Sequence, residues 1–69
     1  MPMVEITLFE GRSDDQKRKV YAEVTQALVR SLGADPENVR IFLREITTMD
    51  TSSNGIAVGD KMANRSGGT

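Results

Sequence analysis

The chain has no cysteine and no histidine. Their absence excludes a disulfide framework, a cysteine nucleophile, a Ser-His triad and an ordinary zinc site, so no metal is expected. Aromatic residues are scarce, one Tyr and two Phe without Trp, and 38% of the 69 residues are hydrophobic. A core of that size supplies only about 3–5 kcal/mol unless something reinforces it, and self-association is the reinforcement left. Charge of one sign is also missing. Nine Lys and Arg against ten Asp and Glu give a net charge of −1, which removes the electrostatic footprint of a nucleic-acid binder or a basic membrane-surface helix. No apolar run approaches the roughly 20 residues that span a bilayer, and the N-terminus lacks a basic region followed by an apolar stretch. The expectation is a single cytoplasmic domain over 1–69, with about 61–69 as a flexible tail and neither nucleic acid nor membrane as a partner. Chemistry is left to carboxylates, Lys, Arg, Tyr, hydroxyls or the chain terminus.

From Met3 to Phe9, Val4, Ile6 and Leu8 alternate with Met3, Glu5, Thr7 and Phe9, the pattern of a half-buried strand. Glu10-Gly11-Arg12 breaks it. Ser13-Asp14-Asp15-Gln16 then reads as a capping box, and Val20, Val24, Ala27, Leu28 and Leu32 recur at helical spacing. A helix over Asp14 to Leu32 is predicted, closed by Gly33 as a left-handed cap. A turn on Asp35-Pro36 leads into Val39 to Arg44, which alternates again, with Val39, Ile41 and Leu43 facing the helix. Strand, helix and strand form a βαβ unit with parallel strands and a right-handed crossover. Thr47 to Asn54 reads as a polar loop, and Gly55 to Gly59 as an arm of a C-terminal hairpin. The fold class is α+β, one βαβ unit with parallel strands and a C-terminal hairpin, assembling into an oligomer. Assembly is expected because the sheet's second face carries Met3, Thr7, Phe9, Phe42 and Ile46 alongside Glu5, Arg40 and Arg44, and needs a cover. Glu5 on that face is expected to form a salt bridge. Met3, Met49, Met62, Tyr21 and Glu45 read as packing or surface residues.

Met1 followed by Pro2 is a substrate for methionine aminopeptidase, so the mature chain is expected to begin at Pro2. Met-Pro is a common start without a role of its own. Here, however, the strand that follows at once would hold a secondary amine on a rigid element. With a reference pKa near 8, an α-amine is about 10% neutral at pH 7, and a drop of one unit makes about half of it available as a base. Burial and neighbouring Arg charges both push that way. Arg12, Arg40 and Arg44 are the candidates, since guanidinium stays charged and grips carboxylates with two bonds. In a parallel pair Pro2 and Arg40 share one end of the sheet. Arg12 lies past the other end, roughly 25–30 Å away at about 3.3 Å per residue. If Arg12 serves the Pro2 site, it comes from another subunit.

These residues resemble the 4-oxalocrotonate tautomerase family. The resemblance rests on Pro2 opening a strand, Leu8-Phe9-Glu10-Gly11-Arg12-Ser13-Asp14-Asp15-Gln16-Lys17 at strand exit and helix cap, Ser31-Leu32-Gly33, Val39-Arg40 and Gly55-Ile56. It covers about residues 2 to 60. It implies a hexamer of βαβ subunits, homohexamer or hetero-hexamer, and cofactor-free proton transfer on enol or dienol 2-oxo acids of aromatic-ring catabolism. Pro2 would be the general base, while Arg12 and Arg40 would bind the small-molecule carboxylate and polarise its oxygen. The family usually has an aromatic residue just before the Gly-Ile of the hairpin, as an apolar wall beside the proline. That position here reads as Asn54, after a polar loop of Asp50, Thr51, Ser52 and Ser53, so Asn54 and Arg44 join the substrate-binding candidates. Related dehalogenases use a carboxylate near this loop and an arginine-rich pocket. Asp50 and Arg44 therefore keep a hydratase, dehalogenase or decarboxylase reading open, next to a non-catalytic subunit of a hetero-hexamer.

Overall fold

The computed structural model describes residues 2–67. Strand β1 runs Met3–Phe9, helix α1 Asp14–Leu32, a 3-10 turn Pro36–Asn38 and strand β2 Arg40–Ile46. Two short strands, β3 Ser52–Ser53 and β4 Ile56–Ala57, and a second helix, α2 Val58–Gly67, follow. β1 and β2 pair in parallel from Met3 opposite Arg40 to Phe9 opposite Ile46. This is the βαβ unit expected, with its C-terminal hairpin.

Local chemistry sets the boundaries. The Ser13 hydroxyl accepts the Gln16 amide while the Gln16 side chain accepts the Ser13 amide, so two free donors at the helix start are satisfied together. Gly33, at φ 67°, ends α1 in the left-handed conformation that glycine adopts without a Cβ clash. β2 begins one residue later than expected and extends two further. Val39 spends its amide closing the 3-10 turn on the Pro36 carbonyl, and β1 offers partners as far as Phe9.

α1 covers one face of the sheet, tied at the end where the strands finish by Lys17 Nζ donating to Glu45 Oε1 at 2.8 Å. Val4, Ile6, Leu8, Ile41 and Leu43 are half-buried there, as are Val20, Val24 and Leu28 of the helix. Ala27 and Leu32 depart from the expected core stripe and are exposed. Ala27 lies off the line of Val20, Val24 and Leu28. As for Leu32, a helix of 19 residues is about 28 Å long and strands of 7 residues about 23 Å, so the last turn overruns the sheet. The far face is open, with Met3, Phe9 and Phe42 at 67%, 44% and 49% exposure. Among the described residues no side chain is fully buried.

α2 occupies Val58–Gly67, where the sequence predicted the end of the hairpin arm at Val58 and Gly59 and a loose tail from about residue 61. Asp60 in its first turn complements the helix dipole, and Lys61, Met62 and Ala63 are good helix formers. Residues 68–69 of that tail lie outside the described residues, as does Met1 with its expected removal. No helix among the described residues is long and apolar enough to cross a membrane.

Candidate active site

Pro2 stands half-buried just before β1. Its carbonyl accepts the Arg40 amide at 3.0 Å, which extends the β1–β2 ladder by one bond and sets the two residues side by side. Arg40 lies opposite Met3, in phase with Phe42 and Arg44 on the open face. One end of the sheet thus brings together a proline on a fixed strand and an exposed guanidinium.

The other candidates lie elsewhere. Arg12 follows the far end of β1 and is exposed beside Gly11, whose φ of 115° turns the chain from strand to helix. No side chain spans the length of β1, so one chain cannot bring Arg12 to Pro2. Arg44 Nη2 sits 3.2 Å from Glu5 Oε1, the salt bridge expected for Glu5. Both partners are more than half exposed, so the pair contributes about 0–1 kcal/mol, and Arg44 remains available to an incoming anion.

Asn54 occupies the tip of the hairpin. Its φ is 54° and that of Gly55 is 77°, and positive values at both central residues are what a two-residue turn between twisted strands requires. Asn is at this position because it tolerates that backbone. The apolar side chain of the hairpin is Ile56, 44% exposed, immediately after the turn. Sequence reasoning missed the turn and placed the hairpin too late, although Asn54-Gly55 is among the strongest short hairpin signals.

Asp50 is bound into the turn that precedes the hairpin. Its Oδ2 accepts both the Thr47 amide at 2.7 Å and the Thr47 hydroxyl at 3.0 Å. The Thr47 amide, then the hydroxyl, hold this carboxyl below its usual range, since both bonds favour the ionised form. An open hollow of about 400 Å³ lined by Met49, Asp50, Thr51, Ser52 and Ala57 lies here, at the root of the hairpin and away from Pro2.

A strand-mounted proline beside an arginine, with the second arginine and the hairpin beyond the other end of a βαβ unit, leads to comparison with known proteins. The family described as "Tautomerase enzyme" matches residues 2–64. A probable tautomerase of Listeria innocua is 40% identical over 60 residues, spanning 87% of this chain and 98% of that one. A 2-hydroxymuconate tautomerase of Comamonas testosteroni is 37% identical over 57 residues, spanning 83% and 90%. Among solved structures, the 4-oxalocrotonate tautomerase isozymes of Methylibium petroleiphilum superpose with a TM-score of 0.83 at 35% identity, over 90% of this chain and 97% of theirs. A heterohexamer 4-oxalocrotonate tautomerase from Chloroflexus aurantiacus superposes with a TM-score of 0.78 at 25% identity, over 87% and 97%. The chain belongs to the tautomerase family. It is an enzyme of the isomerase class, similar to 4-oxalocrotonate tautomerase.

Proposed function

We propose that this chain is a cofactor-independent tautomerase that moves a proton along an enol or dienol 2-oxo acid, working as a homohexamer with Pro2 as its amino-terminal general base. The observation that carries the reading is the 3.0 Å bond from the Arg40 amide to the Pro2 carbonyl, which holds an anion-binding side chain beside the ring. Once Met1 is gone, Pro2 is a secondary amine on a rigid strand. The neutral amine takes the enol hydroxyl proton and returns it to carbon at the far end of the conjugated system, so bonds are exchanged and nothing is consumed. Arg40 and a neighbour's Arg12 bind the carboxylate and stabilise the charge that develops on the enolate oxygen. Arg44 is the further anion contact, and Asn54 borders the substrate from a neighbour's hairpin. The apolar wall beside the amine falls to Ile56, two residues beyond Asn54, the position of the family's aromatic residue.

The assembly follows from the same split. Pro2 and Arg12 at opposite ends of β1 meet only between chains, and the open face with Phe9 and Phe42 supplies the surface to bury. A hydratase or dehalogenase reading would require Asp50 to activate water as a base, and the two bonds its Oδ2 accepts from Thr47 hold the carboxyl below its usual range and make it a weaker one. The test is the ketonisation of 2-hydroxymuconate followed by ultraviolet absorbance. Turnover at cytoplasmic pH without added metal or cofactor is expected, and a protein that accelerates neither this nor shorter dienol acids would contradict the reading.

A further inference from the structure

The hairpin is too short to place itself. It holds only two residue pairs, Ser52 with Ala57 and Ser53 with Ile56, and an isolated two-stranded ribbon is at best marginally stable in water. Its root, by contrast, is dense with bonds. The Thr47 carbonyl accepts the Asp50 amide at 3.0 Å and the Thr47 hydroxyl accepts the Met49 amide at 3.2 Å, while Asp50 Oδ2 holds Thr47 from the other side. The returning leg is tied to this turn, since the Val58 amide donates to the Thr51 carbonyl and the Gly59 amide to the Thr48 carbonyl, each at 2.9 Å. Gly59 comes so close that a Cβ there would lie 2.7 Å from Thr48 Oγ1 and 3.0 Å from Met49 Sδ.

We propose that Asp50 is a positioning residue, whose carboxylate locks the Thr47–Asp50 turn and so sets the angle at which the hairpin presents Ile56 to the neighbouring subunit's proline. This rests on the tautomerase reading above. Both Thr47 donors meet a single oxygen, Asp50 Oδ2, so the lock needs an acceptor at that point and not a negative charge. An asparagine carbonyl oxygen can stand there, whereas a carboxylate that activated water could not be replaced in this way.

The experiment compares Asp50→Ala and Asp50→Asn in the processed assembly, reading kcat/KM for the dienol acid and hydrogen exchange at the Val58 and Gly59 amides. Asp50→Ala is expected to lower kcat/KM about tenfold or more and to speed both amides about tenfold. Asp50→Asn should stay within about threefold of the parent in both readings. Where Asp50→Ala alters sedimentation, Thr47→Val removes the hydroxyl both as donor to Asp50 and as acceptor for the Met49 amide, leaves the Thr47 amide on Asp50 Oδ2, and should show the same two effects at about threefold amplitude. Asp50→Asn as inactive as Asp50→Ala, with exchange unchanged, would overturn the proposal by showing that the charge itself is required. Parental activity and exchange in Asp50→Ala would overturn it equally. A processed parent without turnover defeats the tautomerase reading instead, and exchange at Val58 and Gly59 then decides separately whether the turn locks the hairpin.

Discussion

Three guanidinium groups occupy three different environments, and their expected contributions differ accordingly. Arg40 is held beside Pro2 through its own backbone, Arg12 stands at the far end of β1, and Arg30 is an exposed residue in the last turn of α1. Arg40→Ala and Arg12→Ala are each expected to lower kcat/KM at least about tenfold, equivalent to about 1.4 kcal/mol of transition-state stabilisation. Arg30→Ala should change it little, and small equal losses for all three would mean that the arginines are only surface charge. Asp50 and Lys17 give the pH dependence of the fold. Asp50 titrates below its ordinary 3.8, so its contribution is present above that value and is lost as pH falls through the lower folded one. Lys17 titrates above its ordinary 10.5, chiefly through the Glu45 hydrogen bond, so its contribution is present below 10.5 and is lost as pH rises through the higher folded value. Because a protonated carboxyl still offers Thr47 a carbonyl oxygen, exchange at the Val58 and Gly59 amides, corrected for intrinsic rates, should stay flat across roughly pH 5–9 and rise in acid by no more than the about threefold allowed to Asp50→Asn. A step near neutrality would contradict this assignment.

At the scale of elements the hairpin is where sequence and structure part. An aromatic residue sought at position 54 would have to adopt φ 54°, where a bulky side chain costs roughly 1–2 kcal/mol. Asn54→Phe is thus expected to lower both stability and tautomerase activity, while Asn54→Gly should leave stability nearly unchanged. Higher activity in Asn54→Phe at unchanged thermal stability would show that the wall belongs at 54 after all. The βαβ unit itself was legible because each boundary has a local cause: the Ser13 and Gln16 box opens α1, Gly33 closes it, and alternation marks both strands. The end of the chain was not legible in the same way. Serines and threonines from Thr47 to Ser53 look like a solvated loop until the Asp50 side chain is seen folded back on Thr47, a contact that periodicity does not report. α2 escaped notice because its apolar residues are too few to make a stripe.

The whole molecule is incomplete as a single chain. A compact chain of 69 residues has a radius of gyration of about 11 Å, whereas this one measures 16.4 Å and extends 49 × 25 × 16 Å. No described side chain is fully buried, so the hydrophobic term that stabilises ordinary domains is largely unspent here. That property could be read from the sequence in outline, since few aromatics and no cysteines leave little else to hold a small domain, and an Arg12 that serves the Pro2 site must come from another subunit. Sedimentation at micromolar concentration is expected to give a hexamer, with unfolding that depends on protein concentration. A stable folded monomer would contradict both the assembly and the composite site. The central claim, that Pro2 is the base, is tested most directly by intact mass and dienol turnover measured on the same preparations, one processed and one retaining Met1. An acylated Pro2 has an amide nitrogen without a basic lone pair, so only chains lighter by one methionine should turn over substrate, and full activity in a preparation that keeps Met1 would remove Pro2 from the mechanism.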